Sequence, residues 1–249
     1  MSVLRVAPDR LGRDTAEWIE ARVAEAVDRR GVAHLALSGG STPRPAFEAL
    51  ASMPIEWDRV HVWQVDERIA PDGDPRRNAS MLDEALLGQL PPAGEGGPHA
   101  HLMPVGHLGV DRATALVPTS PELTAVVAAY RQMLSAAGDP PVLDVVHLGI
   151  GPDGHTASWV PGDEVIDAGD EVGVTSTIYQ GTRRLTLTPA CVNRARARVV
   201  MVAGDDKADA LGRMLAGDPS VPASRVTTTS TTVITSIAAP AQGIGSRLA

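Results

Sequence analysis

Short apolar runs separated by helical patterns are the feature of this sequence that most constrains its fold. The runs lie at about residues 34–37, 60–65, 142–148, 184–188 and 198–203, and they have the length of buried strands. Several are followed by a turn rich in glycine, proline or aspartate and then by a segment with helical periodicity. Strands that alternate with helices predict an α/β fold, with a mostly parallel sheet covered by helices on both faces.

The helical pattern is clearest near the start of the chain. Apolar residues from Ala16 to Val27 fall on one helical face, and Gly31 stands where that helix should stop. The patterns predict helices over about 12–30, 43–50, 78–90, 122–137 and 205–216, and one more strand in the threonine-rich segment 226–235. We expect a single domain over residues 1–249, with 91–109 as a long surface loop rather than a domain boundary.

Composition limits the classes of partner. The net charge of −8 disfavours a general electrostatic attraction to nucleic acid or to an anionic membrane, so an anionic ligand needs a local site. A single cysteine, Cys191, excludes a disulfide framework and a cysteine-based metal cluster, and a reducing cytoplasm is the simplest location. No run of 18 apolar residues occurs and no signal-type segment follows the first residues, so we expect neither export nor a membrane span.

In parallel sheets, ligands bind beyond the carboxyl ends of the strands. The loop after the first predicted strand has two glycines and three hydroxyl side chains: Ser38, Gly39, Gly40, Ser41 and Thr42. Glycines let backbone N–H groups approach a ligand, and the helix N-terminus that follows adds positive potential. The loop is therefore either an anion cradle, most simply for a phosphate, or a tight turn with Thr42 as an ordinary N-cap. It lacks the lysine of a P-loop.

Charged residues end the second strand. The triplet Asp66, Glu67 and Arg68 follows Val65, and Asn78 lies beyond the next loop. The planar fork of an arginine matches phosphate or carboxylate oxygens. A solvated loop with a local Glu–Arg pair is the alternative, but the position at the carboxyl edge of the sheet favours a ligand site.

The third loop contains the candidate for acid–base chemistry. Residues 149–154 match the dinucleotide pattern G-x-G-x-x-G, with Gly151 and Gly154 as its second and third glycines, but no acidic residue ends the following strand as that site requires. His155 lies in a loop too rich in glycine to bury it. Such a histidine can be a general base, with Asp153 fixing its tautomer, or it can be a surface residue after an Asp-Gly turn.

The remaining ionisable residues are weaker candidates. Three histidines, His99, His101 and His107, fall in the flexible segment 91–109 without ligand companions, so no metal site is expected there, and three others, His34, His61 and His147, fall within predicted strands. Either Arg183 or Arg184 could close over an anion. Lys207, the single lysine, is expected to be solvated in the first turn of its helix.

Taken together, these motifs resemble one family. They are Leu37-Ser38-Gly39-Gly40-Ser41-Thr42-Pro43, Asp66-Glu67-Arg68 with Asn78, the loop 149–158 with Pro161-Gly162, and Arg184-Leu185-Thr186-Leu187-Thr188. Their order and spacing resemble the 6-phosphogluconolactonase family from about residue 10 to 225. The chain is also similar to the wider superfamily of sugar-phosphate isomerases and deaminases, but Thr156-Ala157-Ser158 after the histidine favours the lactonase.

The resemblance implies a modified Rossmann-like fold and hydrolysis of 6-phosphoglucono-1,5-lactone to 6-phosphogluconate, with no metal or organic cofactor. His155 and Asp153 would be catalytic. The residues expected to bind substrate are Ser38, Gly39, Gly40, Ser41, Thr42, Asp66, Glu67, Arg68, Asn78, Gly151, Gly154 and Arg184. The expected partner is a small phosphorylated sugar lactone rather than nucleic acid or membrane, and the expected state is a cytoplasmic monomer.

One departure from the family matters for the site. Family members commonly carry a lysine before the Arg-x-Thr-x-Thr strand, whereas residues 178–184 here contain none, which leaves its phosphate contact to Arg183 or Arg184. The alternatives to a lactonase are a sugar-phosphate isomerase or deaminase, and a non-catalytic domain that senses sugar phosphates. The latter lacks a helix-turn-helix extension or a basic patch in this sequence.

Overall fold

The computed structural model describes residues 1–238 and contains two sheets. The strands of that part of the chain are β1 (Ser2–Arg5), β2 (Ala33–Leu37), β3 (Val60–Gln64), β4 (Asp66–Arg68), β5 (His99–His101), β6 (Val145–Gly149), β7 (Val172–Val174), β8 (Arg184–Leu187), β9 (Ala197–Val202) and β10 (Thr231–Thr235). Its α-helices are α1 (Leu11–Arg30), α2 (Arg44–Ala51), α3 (Asn78–Ala85), α4 (Val110–Ala115), α5 (Pro121–Leu134), α6 (Pro189–Arg194) and α7 (Ala208–Leu215).

The larger sheet has seven strands in the order β1-β10-β9-β6-β2-β3-β5, and every neighbouring pair is parallel. The predicted α/β class with a mostly parallel sheet is therefore confirmed. Side chains alternate between two apolar layers: Leu35 packs into one and Ala36 into the other, as do Val199 and Val200. Burial on both faces explains why these strands read as continuous apolar runs.

Helix α1 forms where the pattern predicts it. Its buried stripe includes Ala16, Ile19 and Val23, and the helix ends at Gly31, whose φ of 75° is the left-handed conformation that glycine adopts without strain. The amide of Gly31 donates to the carbonyl oxygen of Val27 at 2.7 Å. The helices expected near 43–50, 78–90, 122–137 and 205–216 also form, with several final or first turns tightened into 3₁₀ helix.

A second sheet was not predicted. Strand β8 pairs antiparallel with β4 and β7 in a separate sheet with the order β4-β8-β7. The chain changes sheets at Val65, whose N–H donates to Leu37 of the large sheet and whose carbonyl oxygen accepts from Leu187 of the small one. The expectation that Asp66, Glu67 and Arg68 form a loop at the edge of the large sheet was wrong, because they form β4.

The segment 91–109 is also more ordered than expected. Residues His99–His101 form β5, the edge strand next to β3, so the prediction of a flexible loop was wrong at its centre. The ring of His101 stacks on Trp63 with 3.9 Å between ring centroids, and its Nε2 lies 2.9 Å from Nδ1 of His61. Stacking on a buried indole fixes a segment that its proline and glycine content alone would leave loose.

No helix within residues 1–238 has the length and apolar character needed to cross a bilayer. The predicted single domain remains a prediction, and its last residues, 239–249, lie outside the described part of the chain. Strands β1 and β7 had no recognisable pattern in the sequence because they are short, with four residues in β1 and three in β7.

Candidate active site

The three candidate loops meet in one open cavity of about 230 Å³ at the carboxyl edge of the large sheet. Its wall includes most of the residues singled out in the sequence: Ser38, Gly39, Gly40, Ser41, Thr42, Asp66, Arg68, Asn78, Gly151, His155 and Arg184. Glu67, Asp153 and Gly154 do not line it. A larger depression of about 700 Å³ lies at the amino ends of β1, β9 and β10, away from these loops.

The loop after β2 presents its backbone to the cavity. Gly40 has a φ of 106°, which a side chain would strain. A Cβ on Gly39 would lie 1.9 Å from Oδ1 of Asn78, so the close approach of these two residues requires glycine. No group within residues 1–238 accepts a hydrogen bond from the amides of residues 39–42. The hydroxyl of Ser38 is already used, because it donates to the carbonyl oxygen of His147 at 2.9 Å.

The alternative of an ordinary N-cap is wrong for Thr42. Helix α2 is capped at Pro43 without a side-chain hydrogen bond, and the hydroxyl of Thr42 instead accepts from Nζ of Lys207 at 3.3 Å. The expectation that Lys207 is a solvated residue is therefore also wrong, since it is half-buried and lines the cavity. Its 3₁₀ helix follows β9, whose carboxyl end lies at the same edge of the sheet.

Two arginines face each other on neighbouring strands. Arg68 of β4 is directly opposite Arg184 of β8, and both line the cavity. Burial lowers the pKa of Arg184, and the nearby charge of Arg68 lowers it further, while the carboxylate of Asp66 opposes both effects. Like charges directly opposite on two strands are destabilising, so the pair is a place where an anion would bind favourably.

The structure separates the two arginines that the sequence left as alternatives. The guanidinium group of Arg183 donates to the carbonyl oxygens of Thr175 and Ser176 at 3.0 and 2.7 Å, whereas Arg184 turns into the cavity. Nε of Arg184 and Nε of Arg68 are both buried without a hydrogen-bond partner. Arg184 is therefore the one placed to contact a ligand.

Glu67 does not contact the cavity, which corrects its assignment as a substrate-binding residue. Its side chain is fully buried, and its two oxygens accept from the amides of Arg68, Asn78 and Ala79 and from the side chains of Gln64 and Arg77. The amides of residues 78 and 79 begin α3, where a carboxylate is favoured by the helix dipole. Glu67 thus fixes the positions of Arg68 and Asn78 from behind the cavity wall.

Asp66 joins the loop after β6 to the small sheet. Its Oδ2 accepts from the hydroxyl of Ser158 at 2.7 Å, and its Oδ1 accepts from Nδ2 of Asn78 at 3.2 Å. Ser158 belongs to the same loop as His155, so its bond to Asp66 ties the segment that carries the histidine to β4. Oδ1 of Asn78 is buried and has no partner among the described residues.

His155 and Asp153 form the hydrogen-bonded pair that the sequence predicts. Nδ1 of His155 lies 2.6 Å from Oδ1 of Asp153, and the histidine side chain is 20% exposed. A Cβ on Gly151 would lie 2.1 Å from that Nδ1, so the ring packs directly against glycine backbone. In the neutral imidazole, a proton on Nδ1 leaves Nε2 as an acceptor.

Gly154 has a structural role, which corrects its assignment to substrate binding. Its φ is 81°, and a Cβ there would lie 2.5 Å from a methyl group of Val221. Its amide donates to the carbonyl oxygen of Gly151, whose own amide donates to the carbonyl oxygen of His155. Both amides are therefore used to close the turn that presents the histidine.

Tyr179 is a second residue, besides Lys207, that the sequence analysis missed. Its hydroxyl lies 2.9 Å from Oδ2 of Asp153, and burial together with this carboxylate raises the pKa of the tyrosine. Partial burial opposes ionisation of Asp153, but the bonds from His155 and Tyr179 outweigh it and lower the pKa of the carboxyl group. The only signal was its place in residues 178–184, the stretch in which the resemblance led us to expect a cation.

The fold and the cavity define an α/β protein with a cavity lined by Arg68, Arg184 and Lys207 and an adjacent histidine–carboxylate pair. Within residues 1–238 no group of three or more histidine, cysteine, aspartate or glutamate residues is arranged to hold a metal ion. The family model described as glucosamine-6-phosphate isomerases/6-phosphogluconolactonase matches residues 7–235, and the chain belongs to this family.

Individual relatives agree over most of the chain. A 6-phosphogluconolactonase from Mesorhizobium japonicum is 37% identical over 225 residues, which cover 86% of each chain. One from Synechocystis is 36% identical over 198 residues, which cover 80% of this chain and 78% of the relative. The crystal structure of 6-phosphogluconolactonase from Thermotoga maritima superposes with a TM-score of 0.77 at 25% identity, covering 94% of this chain and 98% of that one.

Proposed function

We propose that this protein hydrolyses 6-phosphoglucono-1,5-lactone to 6-phosphogluconate, a step of the oxidative pentose phosphate pathway. The observation that carries the proposal is that one cavity holds facing arginines and a histidine bonded to a carboxylate. A phosphorylated lactone needs both features, because its phosphate is anionic and its carbonyl carbon must be attacked by water. Relatives that share most of the chain are 6-phosphogluconolactonases, which supports the same reaction.

The phosphate is held at the cationic side of the cavity. Arg68, Arg184 and Lys207 supply the positive charge there, against the single carboxylate of Asp66. The amides of residues 39–42 add donors at the start of α2, where a helix favours an anion. A phosphate dianion between Arg68 and Arg184 would offset the repulsion between the two guanidinium groups. The phosphate would then supply binding energy although it takes no part in the reaction at the lactone carbonyl.

His155 activates the water. Its Nε2 accepts a proton as the water oxygen bonds to the lactone carbonyl carbon, and Asp153 holds the ring and stabilises the imidazolium. When the tetrahedral intermediate collapses, the bond from that carbon to the ring oxygen breaks. The ring oxygen takes the proton back from His155 and becomes a hydroxyl group, which leaves the product acid and the free enzyme.

The tetrahedral intermediate carries a negative oxygen that needs donors. The amides of Gly151 and Gly154 are occupied by the turn, so they do not fill this role. The remaining donors that line the cavity include the amides of the loop after β2, the two guanidinium groups and the ammonium group of Lys207. One well-placed donor of this kind is worth about 10²- to 10³-fold in rate.

The first test follows lactone opening at neutral pH against an enzyme-free control, because the lactone also opens unaided in water. We expect His155→Asn to lower kcat at least tenfold, since a positioned general base contributes about 10²- to 10⁴-fold, and to leave affinity for 6-phosphogluconate nearly unchanged. Full activity of this variant would contradict the role of His155. Turnover of glucosamine 6-phosphate in place of the lactone would support a deaminase instead.

The second arm of this test addresses the phosphate. Arg68→Gln should weaken binding of 6-phosphogluconate by about 10- to 100-fold, the value of one charge-assisted hydrogen bond, and should change binding of unphosphorylated gluconate much less. Arg13→Gln is the matched control, because that side chain is exposed on α1, does not line the cavity and pairs with Glu17. An equal loss for both ligands in Arg68→Gln would contradict the phosphate assignment.

We further propose that the protein acts in the cytoplasm on this small molecule, without a nucleic-acid or membrane partner. Cys191 is a free, buried thiol, which fits a reducing compartment, and the net charge of −8 opposes binding to polyanions. Light scattering of the purified protein would test the expected monomer.

A further inference from the structure

A tight turn lies between β7 and β8 at the mouth of the cavity. Tyr179 and Thr182 exchange backbone hydrogen bonds at 3.0 and 3.3 Å, and the two residues between them have positive φ values, 52° for Gln180 and 79° for Gly181. Left-handed backbone at a residue other than glycine costs free energy and is kept where surrounding contacts maintain it. The contacts of Tyr179 and Gln180 are therefore the features to examine.

Tyr179 contacts both members of the catalytic pair. Its hydroxyl donates to Oδ2 of Asp153 at 2.9 Å and lies 3.4 Å from Nδ1 of His155, and the two rings meet edge to face with 5.3 Å between centroids. The other oxygen of Asp153 faces the histidine at 2.6 Å. Each carboxylate oxygen of Asp153 thus has its own partner, which prevents rotation of a group that is 35% exposed.

The same turn also contacts the cationic side of the cavity. The guanidinium carbon of Arg184 lies 4.9 Å from the centre of the Tyr179 ring, within the range of a cation–π interaction. Oε1 of Gln180 accepts from the guanidinium group of Arg184 at 2.9 Å. Neighbouring residues of one turn therefore contact the general base pair and an arginine of the anion site.

We propose that the turn from Tyr179 to Thr182 is a positioning element, in which Tyr179 orients Asp153 and His155 for proton transfer and Gln180 orients Arg184 for the phosphate. This inference rests on the proposed function and deepens it. The turn lies within residues 178–184, which contain no lysine, and Tyr179 and Gln180 are the side chains by which it contacts the two parts of the site. Neither residue contacts the reacting atoms in the reaction described above.

The test compares Tyr179→Phe with Tyr130→Phe. Tyr130 is the other tyrosine of the chain, and its hydroxyl bonds to the backbone of Gln64 in the core, away from the cavity. Tyr179→Phe should lower kcat about tenfold with little change in KM, whereas Tyr130→Phe should lower thermal stability and leave kcat unchanged. Phenylalanine keeps the ring and its packing, so the comparison isolates the hydroxyl group.

A pH profile distinguishes positioning from packing. The charged or titratable groups facing Asp153 are His155, Tyr179 and Arg184. The tyrosine hydroxyl helps lower the pKa of Asp153, so removing it should raise that pKa. Followed by NMR at the carboxyl carbon of Asp153, that titration should move to higher pH in Tyr179→Phe and stay in place in Tyr130→Phe.

Gln180→Ala provides the reciprocal result. It should raise the Kd for 6-phosphogluconate several-fold without moving the titration of Asp153. A Tyr179→Phe enzyme with wild-type kcat and an unmoved Asp153 titration would overturn the inference while the proposed function stood. If the wild type did not open the lactone at all, the proposed function would fall, and the titration of the Asp153 carboxyl carbon by NMR would still show whether Tyr179 acts on it.

Discussion

Glu67→Gln is the substitution for which the structure gives the sharpest expectation. The carboxylate is fully buried, one of its oxygens accepts two main-chain amides, and the other accepts an amide and two side-chain donors. Glutamine has nearly the same shape, so no cavity forms. It nevertheless replaces one acceptor oxygen with an NH₂ group, which must face donors in either orientation of the amide.

The cost follows from counting the donors. Whichever way the amide turns, at least two buried N–H groups lose their acceptor, and each such loss costs about 1–3 kcal/mol. The buried guanidinium of Arg77 also faces a neutral group in place of a charged one. We therefore expect the free energy of unfolding to fall by about 2–6 kcal/mol, a large part of the ~5–15 kcal/mol that domains usually have.

Equilibrium unfolding in urea at pH 7, followed by tryptophan fluorescence, measures this loss. Glu84→Gln is the matched control, because Glu84 lies on the same helix, α3, and its 2.5 Å ion pair with Arg44 is exposed; its unfolding curve should overlay that of the wild type. Affinity for 6-phosphogluconate should fall in Glu67→Gln as well, since the amides of Arg68 and Asn78 would lose the carboxylate acceptor that fixes their positions. A loss of stability below about 1 kcal/mol would refute the counting of donors.

Two further substitutions test the glycine loop and the buried histidine. Gly151→Ala should displace the ring of His155, because the new Cβ would lie 2.1 Å from Nδ1 of that ring, and kcat should fall by about 10²-fold or more. Gly169→Ala is the control and should leave kcat unchanged, because its new Cβ would meet nothing within 4 Å. Equal kcat values for the two variants would contradict the packing argument. His147 is fully buried, and burial lowers its pKa to about 3. Below pH 6.5 His147 binds a proton in the unfolded chain but stays neutral in the native protein, so the free energy of unfolding should fall by about 3 kcal/mol between pH 6.5 and 4 because of this residue. The melting temperature of His147→Leu should therefore depend less on pH over that range than that of the wild type. Parallel plots of melting temperature against pH for the two proteins would refute this expectation.

The strands and helices of the large sheet could be predicted because their signals are local. Residues 34–37 and 198–203 are buried on both faces, which requires continuous apolar runs, and α1 carries a regular apolar stripe ended by a glycine. Loops at the carboxyl ends of such strands must meet at one edge. The cavity and its arginine, glycine and histidine residues followed from that placement.

The parts that could not be predicted depend on contacts between distant segments. A charged triplet after a strand looks the same whether Glu67 faces a ligand or accepts five internal donors, because three of those donors reach it only through the fold of the loop that leads to residues 77–79. The antiparallel pairing of β4 with β8 joins residues more than 100 positions apart. The hydroxyl of Tyr179 contacts Asp153 because of a turn that no local sequence motif predicts.

Lys207 is different, since a signal for it was present. It follows the predicted strand 198–203, and the carboxyl end of that strand lies at the same edge as the three candidate loops. Had we inspected the segment beyond the carboxyl end of every predicted strand, the single lysine of the chain would have been among the candidate site residues. Its place in the first turn of a helix made a solvated position the simpler expectation.

The pairing of β1 with β10 affects how the chain can fold as it is synthesised. Residues Ser2–Arg5 hydrogen-bond only to Thr232–Thr235 within the sheet, and β10 separates them from every earlier strand. The β1 segment must therefore wait, without a partner strand, until β10 has left the ribosome. Until then β9 is the edge strand on that side of the sheet, and its unpaired backbone groups are open to pairing with another chain.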